Sequence, residues 1–532
     1  MLNLAKCVIG IEFGSTRIKA VLLDENYLPA ASGSHEWENQ LVDGIWTYSM
    51  EMIHTGLHAC YADLKKDVRE KFHQELTTIG GIGVSAMMHG YLPFDKEGRQ
   101  LAEFRTWRNT ITGPAAAKLT EVLNFNIPQR WSIAHLYQAI LNGEEHVPQI
   151  AYLTTLAGYI HWQLTGEKSM GIGEASGMFP IDSTALDYDQ EMADRFDALI
   201  ADKGYTWKLR DILPKVKVAG QNAGYLTAEG AAFLDPEGTL SVETPIPLAP
   251  CEGDAGTGMA ATNSVRVRTG NVSAGTSDFA MLVTDQKTGV HREIDMVTTP
   301  AGLPVAMVHC NNCTSDINAW VNLFSQFAEA IGSPIAKGDL FTLLFRKALE
   351  GDPDCGGLVN FNYFSGEGVT DLDEGRPVFA RMQNCNFTLP NFMRTQLLSS
   401  LATLKVGLDI LTREENLPVD KMYGHGGFFK TPGVGQRMLS AAVGAPVSVM
   451  ETAGEGGPYG MALLTAYMCS EIEAAGSGKS QTLEDFLDQC IFADAKSQTL
   501  MADASDIEGF NTFLTRYVAA LPMEKAAIAA LR

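Results

Sequence analysis

One local design occurs twice in this chain, and it narrows the fold more than any other feature. Val8-Ile-Gly-Ile-Glu-Phe-Gly-Ser-Thr-Arg-Ile-Lys-Ala-Val-Leu-Leu-Asp24 reads as two apolar runs joined by a small, hydroxyl-rich turn. Arg266 to Ser273 and Phe279 to Thr284 repeat the pattern, joined by Ala274-Gly275-Thr276-Ser277-Asp278. Gly14, Ser15 and Thr16 in the first turn, and Gly275, Thr276 and Ser277 in the second, offer backbone N–H groups and hydroxyls with little side-chain bulk. Such a turn can close around phosphate oxygens. Lys19 adds a positive charge beyond the first turn, and Glu12 an acid before it, where a carboxylate could hold a metal-bound water. A tight hairpin also needs small residues for purely structural reasons, so one copy alone would decide little. Two copies half a chain apart predict two α/β domains of like topology, with the turns facing each other across a cleft.

The length agrees, since 532 residues are too many for one core. We place the division after residue 250: 1–250 as one domain and 251–532 as the other. The Pro-punctuated strand expected over Thr244 to Pro250 leads there into Cys251-Glu-Gly-Asp254. A net charge of −23 argues against a nucleic-acid partner. No signal peptide is recognisable and no run of about 18 apolar residues occurs, which excludes a membrane span and predicts a cytoplasmic protein. Nine scattered Cys read as reduced thiols. Cys310 and Cys313 form a CxxC with no second pair to complete a zinc site. A homodimer is compatible with the sequence.

Further landmarks follow in order. A helix is expected over Met50 to Phe72. The buried strand Ile79 to Ala86 delivers Met87-Met88-His89-Gly90 to a loop, and Trp107-Arg108-Asn109 mixes aromatic and polar groups. Helical periodicity covers residues 112–166, with Gly166 as a C-cap. Gly171 to Gly177 reads as a loop. Met422-Tyr-Gly424-His-Gly426-Gly427 is a strand running into a Gly-rich turn where a ligand could approach the backbone. Residues 451–460 read as a Gly- and Glu-rich loop before a helix from Met461 to Met468, and Ser477 to Ser480 as a linker.

Together these parts resemble the FGGY family of carbohydrate kinases, within the larger group sharing the actin and hexokinase ATPase fold. The resemblance implies two ribonuclease-H-like α/β domains flanking a catalytic cleft. The Met88-His89-Gly90 loop is similar to that of xylulokinase-like members, which implies ATP-dependent phosphorylation of a terminal hydroxyl on an open-chain ketose. It also implies roles. Asp254, matching the family's Gly-Asp position, is the general base; as a residue it also suits the cap of a helix beginning near Ala255. Met88, His89, Gly90, Trp107, Arg108 and Asn109 contact the sugar, together with Asp254. Gly14, Ser15, Thr16, Lys19, Gly275, Thr276 and Ser277 face the phosphates, and Gly424, Gly426 and Gly427 form the adenosine platform. Mg²⁺ is held through water by Glu12 and Asp254. Two positions depart from the family pattern: Glu12 stands for its usual Asp, and Asn109 for the Asp of its Trp-x-Asp segment. With Arg108 alongside, Asn109 suggests an altered or acidic sugar. The alternatives are a kinase for another polyol, deoxysugar or sugar acid, and an actin-like ATPase or activase that phosphorylates no sugar.

Overall fold

The structure, a computed structural model, describes residues 1–450, 456–475, 478–495 and 497–531. Two compact units emerge, each discontinuous in sequence, in contrast to a single division after residue 250. The first comprises Met1–Val265, Met296–Val305 and Glu455–Asp494; the second comprises Arg266–Asp295, Ala306–Gly454 and Ala495–Arg532.

The first unit is built on a five-stranded sheet. β1 (Val8–Phe13), β2 (Arg17–Leu23), β3 (Pro29–Glu36), β4 (Gly81–Ala86) and β5 (Glu252–Gly253) lie in the order β5-β4-β1-β2-β3. β1 pairs antiparallel with β2 and parallel with β4, and β5 joins β4 in parallel. Every residue of β4 is buried, as expected of a strand paired on both edges and covered on both faces. One face packs on α1 (Met50–Phe72), which starts at Ser49, whose side chain accepts a hydrogen bond from Met52 N–H, and ends at His73 in the left-handed region. α2 (Asp254–Ala261) continues directly from β5. The other face carries α3 (Gly456–Ala474), a helix apolar enough to be buried for most of its length.

Glycines let α3 press onto the sheet. A methyl group on Gly10 would lie 2.1 Å from Pro458 O and 2.4 Å from Ala462 N, and one on Gly83 would lie 2.2 Å from Thr465 Oγ1. The helix begins at Gly456, earlier than the expected Met461, while residues 451–455 of the expected loop, and Ser477 of the expected linker, lie outside the described residues. The segment Thr244 to Pro250 makes only isolated bridges, Ile82 with Leu248 and Tyr225 with Pro247, because its prolines cannot donate to a ladder. Residues 112–166 resolve into helices Gly113–Leu123, Ser132–Asn142 and Leu156–Thr165 around the short strand Tyr152–Thr154, and Gly166 caps the last helix, its N–H on Trp162 O. Within Gly171 to Gly177, Ile172–Ala175 forms a helical turn rather than an open loop.

The second unit repeats the hairpin. β6 (Thr269–Ala274) and β7 (Asp278–Val283) are antiparallel, and β6 pairs in parallel with β9 (Lys421–His425). With β8 (Pro304–Cys310), β10 (Val447–Met450) and β11 (Ser497–Leu500), six strands of a seven-stranded sheet run β8-β7-β6-β9-β10-β11, and Asp295–Thr298 is the edge strand beside β8. In both units the hairpin's first strand thus has a parallel neighbour that ends in a glycine-containing loop: Met87 to Gly90 after β4, Gly426-Gly427 after β9. Among the described residues, no helix is long and apolar enough to cross a membrane. Cys310 and Cys313 are buried free thiols.

Candidate active site

The two hairpin turns share a feature the sequence did not reveal. Their carbonyl oxygens are engaged by protein donors. In the first unit Trp37 Nε1 donates to Gly14 O at 2.7 Å, the Tyr48 hydroxyl to Ser15 O at 2.5 Å, and Trp37 N–H to Thr16 O at 3.2 Å. Trp37 and Tyr48 stack at 4.1 Å between ring centroids, which fixes both donors. In the second unit Thr314 donates its N–H and hydroxyl to Gly275 O, at 3.0 and 2.6 Å, and Cys313 N–H donates to Thr276 O at 2.9 Å. A turn meant for an anion needs its carbonyl dipoles occupied elsewhere, and both turns meet that need. Thr16 and Thr276 are exposed at the tips. Beside the first turn, Thr16, Arg17, Lys19, Glu36, Trp37 and Glu38 line an open depression of about 610 Å³. Arg17 is ion-paired to Glu36 there.

Sheet register explains the acidic centre of the first unit. Glu252, Ser85, Glu12, Lys19 and Ser34 sit opposite one another across the five strands, so their side chains leave the sheet on one face. Burial pushes the Glu12 carboxyl up to about 7; Asp254's charge adds to the rise and Lys19 opposes it. Glu252 accepts from Gly173 N–H at 3.3 Å and Glu174 N–H at 3.0 Å, yet burial still pushes it up to about 8. Glu174 is fully buried and lies well above the usual carboxylate range, chiefly through burial, with the charges of Asp254 and Glu252 adding. Neither of its carboxyl oxygens has a partner of hydrogen-bonding geometry, although the Thr155 hydroxyl is close enough to offset the shift slightly. A methyl group on Gly253 would sit 2.4 Å from Glu174 Oε2, so the glycine before Asp254 is also the wall of this carboxyl's pocket.

Asp254 is the first helical residue of α2, with Gly253 as the N-cap. Its Oδ1 accepts the Met88 N–H at 3.1 Å, which ties the loop after β4 to the start of α2. The residue keeps solvent access, but surrounding protein still raises its carboxyl above the ordinary range, against the lowering effect of the Met88 and Ala255 amides.

The remaining expected sugar contacts divide. Met88 and His89 are buried, and His89 and Gly90 have positive φ, 74° and 117°. His89 Nδ1 lies 3.1 Å from Gly177 O, and Arg130 Nε donates to His89 Nε2 at 3.1 Å. Both ring nitrogens are therefore engaged by protein, with the proton on Nδ1. Trp107 Nε1 donates to Ser15 Oγ at 3.3 Å, joining its segment to the first turn. Arg108 lies over the Trp46 ring, 4.0 Å from the centroid. Asn109 is buried and accepts Trp46 N–H at 2.9 Å while donating to Trp46 O at 2.8 Å and Thr106 O at 3.0 Å. A carboxylate cannot donate those two bonds, so Asn109 has a structural reason to be an amide and no longer argues for an unusual sugar.

The three glycines expected as the adenosine platform also divide: Gly424 lies within β9, and Gly426 and Gly427 follow it. A methyl on Gly424 would meet the Phe429 ring at 2.5 Å, and one on Gly426, at φ 100°, would lie 2.5 Å from Ala274 O. These two are small for packing. A methyl on Gly427 would have nothing within 4 Å among the described residues, which leaves this glycine open to a ligand. His425 has its Nε2 buried without a partner, and burial lowers the ring to about 4.

Models of the N-terminal and C-terminal domains of the FGGY family of carbohydrate kinases match residues 7–259 and 270–469. The chain belongs to this family. It is 22% identical over 443 residues to a xylulose kinase of Haemophilus influenzae, covering 80% of this chain and 83% of the relative. A xylulose kinase from Lactobacillus acidophilus has a similar structure, with a TM-score of 0.77 at 17% identity over 98% of each chain. A gluconate kinase from the same organism reaches 0.76 at 16% identity, over 97% of this chain and 98% of that one. At these identities the structural likeness fixes the fold, an actin-like ATPase fold of two α/β domains. As an FGGY kinase the protein is an ATP-dependent sugar kinase.

The buried acids make the stability of this FGGY kinase pH-dependent. Glu252's carboxyl is raised in the folded chain, from 4.5 to about 8. Its contribution is fully present below the unfolded value and is lost as pH rises through the folded one. The melting midpoint is expected to fall between about pH 5 and 9. Glu252→Gln keeps an acceptor for the Gly173 and Glu174 amides and removes the titration, so its profile should be flatter. Identical slopes for the two proteins would remove Glu252 as a cause.

Proposed function

We propose that this FGGY kinase transfers the γ-phosphoryl group of ATP to a terminal hydroxyl of an open-chain, xylulose-like ketose, with Asp254 as general base. The observation that carries this reading is the solvent-accessible Asp254 carboxylate, fixed by the Met88 N–H at the start of a helix. Its raised proton affinity suits a group that must take a proton from an alcohol. In the step, the sugar oxygen attacks the γ-phosphorus, its proton passes to Asp254, and the bond to ADP breaks. The engaged carbonyls of both turns support phosphate contacts by Ser15 and Thr16 and by Thr276 and Ser277, with Lys19 contributing charge; the N–H groups of Gly14 and Gly275 donate to Arg17 O and Ser277 O, so these two glycines would offer close approach rather than a free amide. Gly427, free of packing, supports a nucleotide contact. Trp107, half-buried beside the first turn, is the sugar-facing candidate that fits best; Met88 is buried with its N–H on Asp254, and Gly90 is buried against the Phe104 ring. His89 would shape the loop unless a sugar hydroxyl displaces one of its protein partners, and Arg108, stacked on Trp46, could reach the sugar only through its exposed edge.

Mg²⁺ bound with the nucleotide would neutralise phosphate charge. Glu12 and Asp254 fit a hydrated Mg²⁺: both are hard oxygen donors, each within the other's electrostatic reach. Among the described residues no cluster of three His, Cys, Asp or Glu could hold a metal by itself, which suits an ion held mainly by phosphates and water.

A second reading, a sugar-acid kinase, is favoured by one observation. Arg130, anchored through His89, brings a cation to the Met-His-Gly loop. A panel of ketoses, polyols and sugar acids, assayed for sugar-dependent ADP release, separates the two. Xylulose-like ketoses are expected to give the highest turnover and, with a non-hydrolysable ATP analogue, the largest rise in melting midpoint. A sugar acid that outperforms every ketose would reverse the assignment. ADP release that no sugar stimulates would leave the actin-like ATPase reading instead.

A further inference from the structure

Glu12 carries its carboxylate one methylene further from the sheet than an aspartate would. It projects on the face covered by α3, and there it meets the first turn of that helix. A methyl group on Gly457 would lie 1.8 Å from Glu12 Oε1, 2.5 Å from Cδ and 3.2 Å from Oε2. Among the described residues outside the helix's own backbone these are the three nearest atoms, and all three belong to the Glu12 carboxylate. The backbone does not demand glycine at 457: Gly456 has φ 73°, but Gly457 is not among the residues of positive φ. The Glu12 carboxylate therefore fills the place that a side chain at 457 would take.

We infer that Gly457 is a positioning residue for Glu12, and that the longer acid and the missing side chain work as one unit. The inference rests on the reading of Glu12 as the acid next to the Mg²⁺-bound phosphates. Because the obstructing atoms are the far end of a flexible side chain, an alanine at 457 moves the carboxylate rather than the helix. Its cost falls on metal-dependent binding and not on folding. Shortening the acid relieves the conflict, because an aspartate withdraws from the place an alanine at 457 would take.

The test is a cycle of Glu12→Asp, Gly457→Ala and the double variant in the full chain. The readouts are MgADP affinity by calorimetry, ADP affinity in chelator, and the melting midpoint without nucleotide. Gly457→Ala is expected to weaken MgADP binding by about 10–100-fold, the range for disturbing the groups that orient a metal's surroundings. Metal-free ADP binding should stay unchanged and the melting midpoint within about 2 °C of the parent. In the Glu12→Asp background the same alanine should cost less than about threefold. Equal factors in the two backgrounds would overturn the coupling. Misfolding of the Gly457→Ala proteins in both backgrounds would make the glycine structural and overturn it too, whereas folding only in combination with Glu12→Asp would support it. Glu12→Gln separates the two levels of argument. Unchanged MgADP affinity in that variant would reject the role of Glu12 itself, and Gly457's with it. A loss there combined with equal alanine factors would reject only the coupling.

Discussion

Asp254→Asn is expected to slow sugar phosphorylation by about 10²–10⁴-fold, the range that general-base catalysis supplies. The substitution is close to isosteric, and its side-chain oxygen can still accept the Met88 N–H that Asp254 Oδ1 accepts now at 3.1 Å. The loop after β4 therefore stays tied to α2, and the geometry of the sugar side should survive. What is lost is the capacity to take a proton, because an amide oxygen has no useful basicity near neutral pH. The loss should appear in kcat with KM for the sugar little changed, and ADP binding should be retained. Asp254 sits in the first turn of α2, where a negative charge also favours the helix, so a small fall in melting midpoint is expected as well. Single-turnover phosphoryl transfer to sugar, measured beside ADP binding by calorimetry, checks both halves. Turnover within about threefold of the parent would remove Asp254 from the chemistry, and a large fall in stability with parallel loss of ADP binding would make it a structural cap.

What the sequence showed about this site, and what it hid, follows from the range of the interactions involved. The paired hairpins were legible because a tight turn writes itself into adjacent residues: Gly14-Ser15-Thr16 and Gly275-Thr276-Ser277 are each complete within a few positions. The donors that occupy those turns' carbonyls were not legible, since Trp37, Tyr48, Cys313 and Thr314 reach them through separate folding of the chain. Asn109 is the clearest case. Beside Trp107 it has the spacing of a sugar-binding residue, but its side chain is taken up mainly by the backbone of Trp46. Glu174 and Glu252 were passed over for the same reason. Nothing near Glu174 in sequence marks it as a neighbour of Glu252 and Asp254, and only the strand register and the turn at Ile172–Ala175 bring these acids together. Gly424 and Gly426 have a packing reason to be small that the sequence did not show. A glycine-rich turn after a strand suits a ligand, yet the Phe429 ring and the Ala274 backbone account for two of its three glycines. The early start of α3 is legible only in hindsight: Gly456 and Gly457 look like loop residues until Glu12 is seen against the helix.

Gly10→Ala should cause a large loss of stability in the first unit, with activity falling alongside it. The obstruction is steric and comes from backbone atoms. The added methyl would lie 2.1 Å from Pro458 O, 2.4 Å from Ala462 N and 3.0 Å from Ala462 Cα. None of these atoms can rotate away, unlike the carboxylate that faces Gly457, so either α3 lifts from β1 or the strand shifts. Overpacking costs about 1–3 kcal/mol where side chains can adjust, and a contact with rigid backbone belongs at the upper end or beyond. The functional consequence comes from what α3 also touches. Its Gly460 approaches Thr257 O of α2, where a methyl would lie at 1.9 Å, and its Gly457 lies against the Glu12 carboxylate. A helix displaced from β1 therefore disturbs both acids, Glu12 directly and Asp254 through α2. Gly258→Ala is the control: it lies in α2, has nothing among the described residues within 4 Å of an added methyl and no positive φ, and should be neutral or stabilising by up to about 1 kcal/mol. Chemical denaturation of the two variants, read beside MgADP affinity, decides the matter. If Gly10→Ala proves as stable as Gly258→Ala, then α3 does not need close contact with β1, and the mechanical link between the two carboxylates fails.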